Sequence, residues 1–248
     1  TTVKHRICLM QAALKVLLKR QDEIIERLIA ETGRPTIETL MIEIFAACDA
    51  MNYYSRRAKS LLADRRVGLH LLRLKSAKLI HRPMGVVAVI SPWNGPFILS
   101  INPTIQAVLA GNAVLLKPSE VTPEAGRITV EIFQEAGFPE DLVQVLLGDG
   151  ETGAALIESG VDKVTFTGSV ATGRKIGEAC GRNLVPCTLE LGGKDPMLVL
   201  EDANLERAAG GAVFGAVMNN GQFCSGIERV YVVKQVADAF IEKVVSRM

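Results

Sequence analysis

The sequence predicts an α/β protein with N-terminal helices, then a doubly wound parallel sheet, then the start of a second α/β domain. From Pro83 onward, short apolar runs alternate with spans in which apolar residues recur at helical spacing. The runs are apolar throughout, as is typical of parallel strands that helices cover on both faces. Near Val185 the alternation stops, and two strand-like runs follow each other across a short glycine turn. The alternation predicts the sheet, and its interruption predicts the second domain.

The N-terminal part is predicted to be helical. Residues 4–31 carry apolar side chains at helical spacing, and Gly33 followed by Pro35 ends that helix. Glycine is favoured just after a helix, and proline cannot continue one. A second helix is expected over about 37–62. An extended or hairpin segment is expected over 69–82, where apolar and basic residues alternate.

The alternating region contains four predicted strands, each followed by a predicted helix. Right-handed crossovers between such strands give a doubly wound sheet, which binds its ligands beyond the carboxyl ends of the strands. The strands are 85–90, 113–117, 143–147 and 163–168, and the helices are 98–110, 124–136, 151–158 and 171–180.

Residues 1–185 and 186–248 are the two predicted domains. In the second, the strand-like runs VPCTLELGG and PMLVL come first. A helix over 205–218, a strand over 229–233 and a helix over 236–247 follow them.

Composition and charge argue against several classes of protein. The net charge is +1, which gives no electrostatic reason to expect nucleic acid or an anionic membrane as partner. No apolar run reaches the roughly 18 residues of a transmembrane helix. The 5 cysteines show no paired spacing, which favours reduced thiols in the cytoplasm. The 3 histidines do not accompany those cysteines, so no metal site is expected.

Polar residues follow the first two predicted strands, at the edge of the sheet where ligands bind. Asn94 follows the first strand, and its side-chain amide could donate to a developing oxyanion. A turn between two prolines explains Asn94 as well. In the KPSE segment after the second strand, Lys117 and Glu120 could hydrogen-bond ribose hydroxyls. The alternative for that segment is a solvated loop.

Gly168 and Ser169 follow the fourth predicted strand in the segment FTGSVATG. Glycine lets backbone amides approach a diphosphate, and the serine can cap the next helix and donate to the same group. The segment is not GxGxxG, so a plain strand-to-helix turn accounts for it equally well.

Glu190 and Cys224 are the candidates for covalent chemistry. Glu190 ends an apolar strand ahead of a glycine pair, where partial desolvation would raise the pKa of its carboxyl toward that of a useful base. Cys224 lies in the turn GQFCSG, and its backbone amide could also serve an oxyanion. A cysteine and a glutamate that converge on one pocket can form and then hydrolyse an acyl intermediate. An inert buried thiol is the alternative for Cys224.

Five segments in this order resemble the aldehyde dehydrogenase superfamily. Each segment alone is a weak signal, but together they are specific, and the resemblance covers nearly the whole chain. It implies a Rossmann-like cofactor domain that departs from GxGxxG, as this chain does. The segments are SPWNGP (91–96), LLKPSE (115–120), FTGS (166–169), ELGGKDP (190–196) and GQFCS (221–225).

The resemblance implies an NAD(P)-dependent enzyme that oxidises an aldehyde to a carboxylic acid. Cys224 would attack the aldehyde carbonyl, and Asn94 with the Cys224 amide would hold the oxyanion. After hydride transfer to the nicotinamide, Glu190 would activate water to hydrolyse the thioester. The implied partners are a small aldehyde and, for the parent enzyme, further copies in a homodimer or homotetramer.

The resemblance also implies a set of cofactor contacts. Lys117 and Glu120 correspond to adenosine-ribose contacts, Ser169 to a diphosphate contact, and Trp93 to part of the pocket floor. Leu191 corresponds to a backbone contact with the nicotinamide carboxamide. The full set is Trp93, Lys117, Ser119, Glu120, Gly168, Ser169 and Leu191.

Three further expectations concern cofactor, reaction branch and completeness. A carboxylate at Glu120 would repel a 2′-phosphate, so NAD is preferred, with NADP as the alternative. Glu190 argues against a coenzyme A-acylating enzyme, and a non-catalytic dinucleotide-binding protein on the same fold is the other alternative. Helical patterns without caps at both ends, starting at Lys4, favour a fragment over a short chain with frayed ends. The family's catalytic domain continues beyond residue 248, so these residues are not expected to sustain turnover alone.

Overall fold

The computed structural model describes residues 1–71 and 74–248. Backbone contacts divide the chain into two compact units. Unit 1 is Thr1–Glu190, and unit 2 is Leu191–Met248.

Two helices, and not the single one predicted, form the start of unit 1. They are α1, Val3–Lys19, and α2, Gln21–Thr32. The chain leaves the helical conformation at Arg20, where φ is −101° and ψ is 10°. The Arg20 guanidinium bonds Glu23 nearby and Glu131, far away in sequence, at 2.8 Å. The helical spacing of apolar residues does not show the bond to Glu131, so it predicts one continuous helix across Arg20.

The ends of these helices are capped. The expectation that no capping residue introduces the first helix is wrong, because Thr2 Oγ1 accepts a hydrogen bond from the His5 amide at 3.2 Å. The predicted stop at Gly33 is confirmed. Gly33 has φ 68°, a left-handed conformation that glycine adopts without steric cost.

The second predicted helical span is confirmed, but it is not uniformly α-helical. It consists of α3, Thr36–Thr39, then a π-helical segment, Leu40–Phe45, then α4, Ala46–Leu61. The π-helical segment contains Glu43, which is fully buried.

A short antiparallel pair of strands follows α4. β1, Arg65–Val67, pairs with β2, Ala77–Leu79, so that Arg65 lies opposite Leu79. The expectation of extended or hairpin structure over 69–82 is met by β2, whereas its partner β1 lies wholly before that segment. The part of that expectation on residues 72 and 73 lies outside the described residues.

Five strands form the main sheet of unit 1, in the order β5-β4-β3-β6-β7. The pairs β3–β4, β3–β6 and β4–β5 are all parallel. The strands are β3, Val86–Ile90; β4, Ala113–Lys117; β5, Val143–Val145; β6, Lys163–Gly168; and β7, Cys187–Leu191. The connecting helices are α5, Pro96–Ala110; α6, Pro123–Glu135; α7, Gly150–Glu158; and α8, Val170–Arg182.

The strand order confirms the doubly wound sheet. The chain runs outward from β3 through β4 to β5, then returns so that β6 pairs with the other side of β3. β3 and β6 are therefore neighbours whose connections leave in opposite directions. This is a topological switch point, the place where open α/β sheets bind their ligands. β7, which the sequence pattern assigned to the second domain, is the edge strand of this sheet.

One apolar core joins the N-terminal helices to the sheet. β3 carries buried apolar residues in succession, as its continuous run in the sequence predicts. In β4, Val114 and Leu116 are buried and Leu115 between them is partly buried. The largest fully buried side chains of this core are Met10, Leu17, Ile24, Leu28, Ile44, Met51, Phe97, Ile101, Ile105, Leu116, Ile128 and Phe133.

Unit 2 has a small sheet and two helices. β8, Asp195–Val199, pairs in parallel with β9, Ile227–Val232. Between them in sequence lies α9, Leu205–Val217, and α10, Ala237–Val245, follows. The buried core of this unit contains Val199, Ala209, Ala212 and Phe240.

Adjacent leucines in α1 test the contribution of the N-terminal helices to the core. Leu17 is fully buried and Leu18 is 50% exposed. Leu17→Ala is expected to lower the free energy of unfolding by about 2–5 kcal/mol, because it removes buried methyl groups and leaves a cavity. Leu18→Ala, the matched control, should cost about 1 kcal/mol or less. Urea denaturation followed by circular dichroism measures both, and equal losses would contradict the packing described for α1.

Candidate functional site

Two loops flank the topological switch point of the main sheet. The loop after β3 carries Trp93 and Asn94, and the turn after β6 carries Gly168 and Ser169. Since β3 and β6 are parallel and paired, both loops lie at the same edge of the sheet. The sequence-predicted residues of these two segments therefore meet at the position where such sheets bind ligands.

The loop after β4 brings a buried lysine to the same edge. Lys117 is buried, and its Nζ lies 3.4 Å from Oε2 of Glu120, whose side chain is 57% exposed. The pKa of Glu120 is held below its usual value by its own backbone amide and by the Lys117 ammonium, while Asp149 acts in the opposite direction. The Glu120 carboxylate is therefore ionised near neutral pH and accessible to a ligand.

A cleft of about 720 Å³ unites these loops. Its size suits a ligand larger than a small metabolite. Of the predicted site residues, it is lined by Trp93, Lys117, Ser119, Glu120, Gly168 and Ser169. The described residues that line this cleft do not include Asn94, Glu190 or Leu191.

The cleft also contains residues that sequence reasoning missed. Asp149 and Gly150, at the start of α7, line it, as do Thr172 and Lys175 of α8. The segment GDGET after the third predicted strand is a helix-start signal that could have indicated Asp149. Thr172 and Lys175 follow Ser169 at intervals of three residues, which places all three on one face of a helix. This spacing could have indicated both residues as part of the site.

Two helices form apolar walls of the cleft. α7 contributes Ala154 and Ile157, and α8 contributes Ile176 and Ala179. A second space of about 530 Å³ adjoins the cleft and shares Ser119, Glu120 and Asp149 with it. The edge of the sheet is thus a long groove with apolar walls and a polar loop.

The four helices that follow strands β3 to β6 differ in what occupies their N-termini. At α6, the Glu31 carboxylate accepts from the amides of Glu124 at 2.7 Å and Ala125 at 3.3 Å. Burial raises the pKa of Glu31, and these two amides oppose that shift. At α5, Glu43 accepts from the Ile98 amide at 2.7 Å. Both N-termini are therefore closed by carboxylates of this chain.

The N-termini of α7 and α8 both line the cleft, but their charge differs. α7 is capped by a carboxylate, since Asp149 accepts from the Glu151 amide at 2.9 Å. α8 is capped by the neutral hydroxyl of Ser169, which accepts from the Thr172 amide at 3.2 Å, and Lys175 follows in the cleft. The cap expected at Ser169 is confirmed. Of these helix starts, α8 is the one whose charge favours an anion.

Asn94 is held by a buried ion pair from the N-terminal helices. The backbone carbonyl oxygen of Asn94 accepts a hydrogen bond from Arg34 Nη2 at 2.6 Å. Arg34 Nη1 lies 2.6 Å from Glu43 Oε1. Burial raises the pKa of Glu43, while the Ile98 amide and Arg34 oppose that shift. Asn94 itself is half-buried.

Glu190 and Leu191 lie at the end of β7, and Glu190 is exposed. The expected desolvation of Glu190 is therefore wrong for this structure. The sequence pattern placed Glu190 at the end of a buried strand, whereas β7 is the edge of the sheet, with β6 as its neighbour. An edge strand is covered by sheet on one side alone, so its side chains are less enclosed.

Cys224 lies in unit 2, in a turn, and it is exposed. The preceding residues Asn219, Asn220 and Gly221 have φ values of 52°, 56° and 74°. Asparagine and glycine tolerate this left-handed conformation better than other residues. Three such residues in succession turn the chain sharply after α9, and such unusual backbone is often found at functional sites.

Two other cysteines are poor nucleophiles for a physical reason. Burial, together with the neighbouring Cys187, raises the pKa of Cys180 to about 11. Burial also raises the pKa of Cys48. A raised pKa keeps a thiol protonated near neutral pH, and the thiolate is the reactive form. Cys224 combines exposure with a sharply turned loop, which sets it apart from both.

In the part of the chain that the structure describes, no group of three or more His, Cys, Asp or Glu side chains is placed to hold a metal ion. Among the described helices, none combines the length and apolar content that crossing a membrane requires.

The doubly wound sheet and its cleft define the architecture of a nucleotide-binding α/β protein. A model of the aldehyde dehydrogenase family matches residues 1–248, and the chain belongs to that family.

Known proteins extend this finding. The chain is 44% identical over 232 residues to 4,4'-diapolycopene aldehyde oxidase of Methylomonas sp, covering 93% of this chain and 44% of that protein. It is similar to the NAD+ complex of aldehyde dehydrogenase from Bacillus cereus, with a TM-score of 0.93 and 32% identity. That match covers 100% of this chain and 50% of the other. An NADP dependent enzyme of E. coli matches with TM-score 0.94 and 30% identity over 100% of this chain and 51% of that one. The chain thus spans about half the length of these relatives.

Gly168 tests the packing at the switch point. A Cβ at Gly168 would lie 2.5 Å from Cζ of Phe166, a buried ring that also lines the cleft. Gly168→Ala is expected to lower the free energy of unfolding by about 1–3 kcal/mol, because the ring must move. Gly181→Ala in α8 is the control, since a Cβ there meets nothing within 4 Å and alanine favours a helix by about 0.5–1 kcal/mol. Thermal and urea denaturation measure both, and a neutral Gly168→Ala would contradict the crowding at this turn.

Proposed function

We propose that this protein is the nucleophile-bearing part of an aldehyde dehydrogenase that oxidises an aldehyde to a carboxylic acid with NAD(P)+. The observation that carries the proposal is the cleft over the switch point of the sheet, in a chain of this family. It accounts for six predicted cofactor-contacting residues in one space. Cys224 and Glu190 supply the side chains that the acyl chemistry requires.

The proposed reaction forms and breaks one bond to sulfur. The Cys224 thiolate adds to the aldehyde carbon, and the carbonyl oxygen becomes an oxyanion. A bound nicotinamide cofactor would supply the hydride acceptor, and loss of hydride from this adduct would leave a thioester on Cys224. Glu190 takes a proton from water, which attacks the thioester, releases the carboxylic acid and returns the thiolate. Two electrons pass from substrate to cofactor in each cycle.

Asn94 is proposed to stabilise the oxyanion, together with the backbone amide of Cys224. A side-chain amide that is fixed before the reaction stabilises developing negative charge without reorganisation. The bonds of Arg34 to the Asn94 carbonyl and to Glu43 support this role, since they fix the backbone of the Asn94 loop.

The cofactor is proposed to lie along the groove at the edge of the sheet. The apolar walls from α7 and α8 suit an adenine ring, and Lys117 with Glu120 suits the adjoining ribose. The diphosphate is assigned to the N-terminus of α8, because the other three helix starts carry a carboxylate. Trp93 and Leu191 are proposed to contact the nicotinamide end.

Two alternatives differ from this proposal in the fate of the thioester or in the absence of chemistry. A coenzyme A-acylating enzyme would transfer the acyl group to a thiol, and Glu190 would then have no hydrolytic role. A non-catalytic dinucleotide-binding protein would keep the cleft but not need Cys224. The combination of Cys224, Glu190 and Asn94 favours the hydrolytic enzyme.

We further propose that the protein acts in the reducing cytoplasm as a homodimer or homotetramer. The cysteines, all in the described part of the chain, are free. The β1–β2 hairpin exposes Val67 and Leu79, and Leu74 between the strands is fully exposed. An exposed edge with apolar side chains is suited to pairing with another copy.

Cysteine and glutamate variants test the reaction. In a version of the protein extended to the length of its relatives, Cys224→Ala is expected to abolish aldehyde-dependent NADH formation. Cys8→Ala, which removes an exposed thiol in α1, should leave it unchanged. Glu190→Gln should give a single burst of NADH and then lose about 10²–10⁴-fold of the steady rate, because hydride transfer precedes hydrolysis. Stopped-flow absorbance measures both phases. Undiminished turnover by Cys224→Ala, or rapid acyl-coenzyme A formation when coenzyme A is added, would reject the hydrolytic mechanism.

Cofactor preference tests the position of Glu120. In a version of the protein extended to the length of its relatives, the ionised carboxylate should disfavour the 2′-phosphate of NADP by about 1.4–2.7 kcal/mol. This corresponds to roughly 10-fold to 100-fold in kcat/KM. Glu120→Gln removes the charge and should bring the NAD to NADP ratio toward one. Glu140→Gln, an exposed residue outside the cleft-lining set, is the control. Initial rates with both cofactors decide the matter, and equal or better efficiency of the unmodified protein with NADP would reject the preference.

A further inference from the structure

We propose that Arg34 and Glu43 are positioning residues that hold the Asn94 loop in its reactive geometry. The proposal rests on the function proposed above for Asn94. Both residues lie in the N-terminal helical part, far from Asn94 in sequence. Neither lines the cleft, so any effect they have on the reaction passes through the loop.

The ion pair bonds the backbone at two positions, Asn94 in the loop and Ile98 in the first turn of α5. Arg34 Nη1 lies 2.6 Å from Glu43 Oε1, and Arg34 Nη2 donates to the Asn94 carbonyl at 2.6 Å. The second oxygen of the carboxylate, Oε2, accepts from the Ile98 amide at 2.7 Å. One charged pair therefore fixes Asn94 and, four residues later, the first turn of α5.

The rest of the loop is anchored at its ends by backbone bonds. The Ser91 amide donates to the Lys117 carbonyl at 3.1 Å, which ties the loop to the sheet. The Gly95 carbonyl accepts from the Leu99 amide at 3.0 Å, which ties it to α5. Asn94 lies between these anchors, and the Arg34 bond fixes its peptide plane. That plane sets the direction in which the Asn94 side chain leaves the backbone.

Burial of this pair is difficult to explain as a contribution to stability. The Arg34 and Glu43 side chains are 4% and 1% exposed. Removing two charges from water is unfavourable, and apolar residues of similar volume often serve a core equally well or better. Arg34 Nη2 bonds the Asn94 loop, and Glu43 Oε2 bonds the start of α5 that follows it. A buried pair with these two bonds is suited to holding the loop in a single conformation.

The π-helical segment explains how Glu43 reaches the loop. A π-helix has a wider turn than an α-helix, so it shifts the face on which later side chains lie, and it is frequent at functional sites. Glu43 lies within this segment, Leu40–Phe45, and is fully buried, whereas Met41 and Phe45 in the same segment are exposed. The segment thus directs one charged side chain toward α5.

The test removes the pair without leaving an unpaired buried charge. Arg34→Met combined with Glu43→Leu replaces both charges by apolar groups, a change that folded domains generally tolerate. In a version of the protein extended to the length of its relatives, the rate of hydride transfer should fall by about 100-fold, as expected for a displaced oxyanion donor. KM for NAD should stay within about threefold. In an Asn94→Ala background the same replacement should change the rate by less than about threefold, because residues that act through one another are not additive.

The Arg27–Glu131 pair between α2 and α6 provides the matched control. The Arg27 and Glu131 side chains are 25% and 36% exposed, and Arg27 Nη1 lies 2.7 Å from Glu131 Oε2. Arg27→Met combined with Glu131→Leu makes the same two substitutions at a more exposed ion pair, away from the Asn94 loop. This variant should keep the wild-type rate of hydride transfer.

Each kinetic result separates the proposals. A full rate in the Arg34→Met, Glu43→Leu variant, beside a loss of about 100-fold or more in Asn94→Ala, would overturn the positioning role and leave Asn94 in place. Losses that multiply in the combined variant would also overturn it, because the pair would then act independently of Asn94. A full rate in Asn94→Ala would overturn the proposed oxyanion role itself.

Hydrogen exchange on the unmodified protein tests the geometry without a variant. The Ile98 amide donates to a buried carboxylate, so it should exchange as slowly as the Ile105 amide in the middle of α5. Exchange of the Ile98 amide at the rate of exposed loop amides would overturn the proposal even where the variants fail to fold.

Discussion

The parallel pairing of β3 with both β4 and β6 is the constraint on which the rest of unit 1 depends. Ile90 lies opposite Lys117 on one side and opposite Phe166 on the other, so the three loops that follow these strands emerge at one edge. Because β3 and β6 continue in opposite directions across the sheet, their loops separate and leave a cleft between them. Residues far apart in sequence become neighbours through this register alone.

The N-terminal helices determine which helix starts remain available at that edge. Glu31 closes the N-terminus of α6, and Glu43 closes that of α5. Asp149 puts a carboxylate on α7, whereas α8 is capped by the neutral hydroxyl of Ser169. The helices before the sheet therefore stabilise its core and also close two of the helix N-termini at its edge.

Much of the fold was predictable from local patterns. The bounds of β4 and β6 agree with the sequence prediction because their apolar runs end at proline or glycine. The break at Arg20 was not predictable from local pattern, because Arg20 bonds Glu131, which is distant in sequence. The exposure of Glu190 was not predictable either, because it follows from the position of β7 at the sheet edge. The role of the Arg34–Glu43 pair was not predictable for the same reason. Arg34 bonds Asn94, 60 residues later in the sequence, and Glu43 bonds Ile98, 55 residues later. The loop residues of the cleft were found because motif order, not local propensity, indicated them.

The cleft over the switch point is proposed to bind a nicotinamide dinucleotide. Trp93 is the single tryptophan of the chain, it lines this cleft, and it is 47% exposed. Titration of the protein with NADH, followed by tryptophan fluorescence, therefore reports on the cleft directly. The account predicts saturable quenching of Trp93 with energy transfer to the reduced nicotinamide, and a weaker affinity in Lys117→Met. Fluorescence that does not respond to saturating NADH, or an affinity that Lys117→Met leaves unchanged, would contradict it.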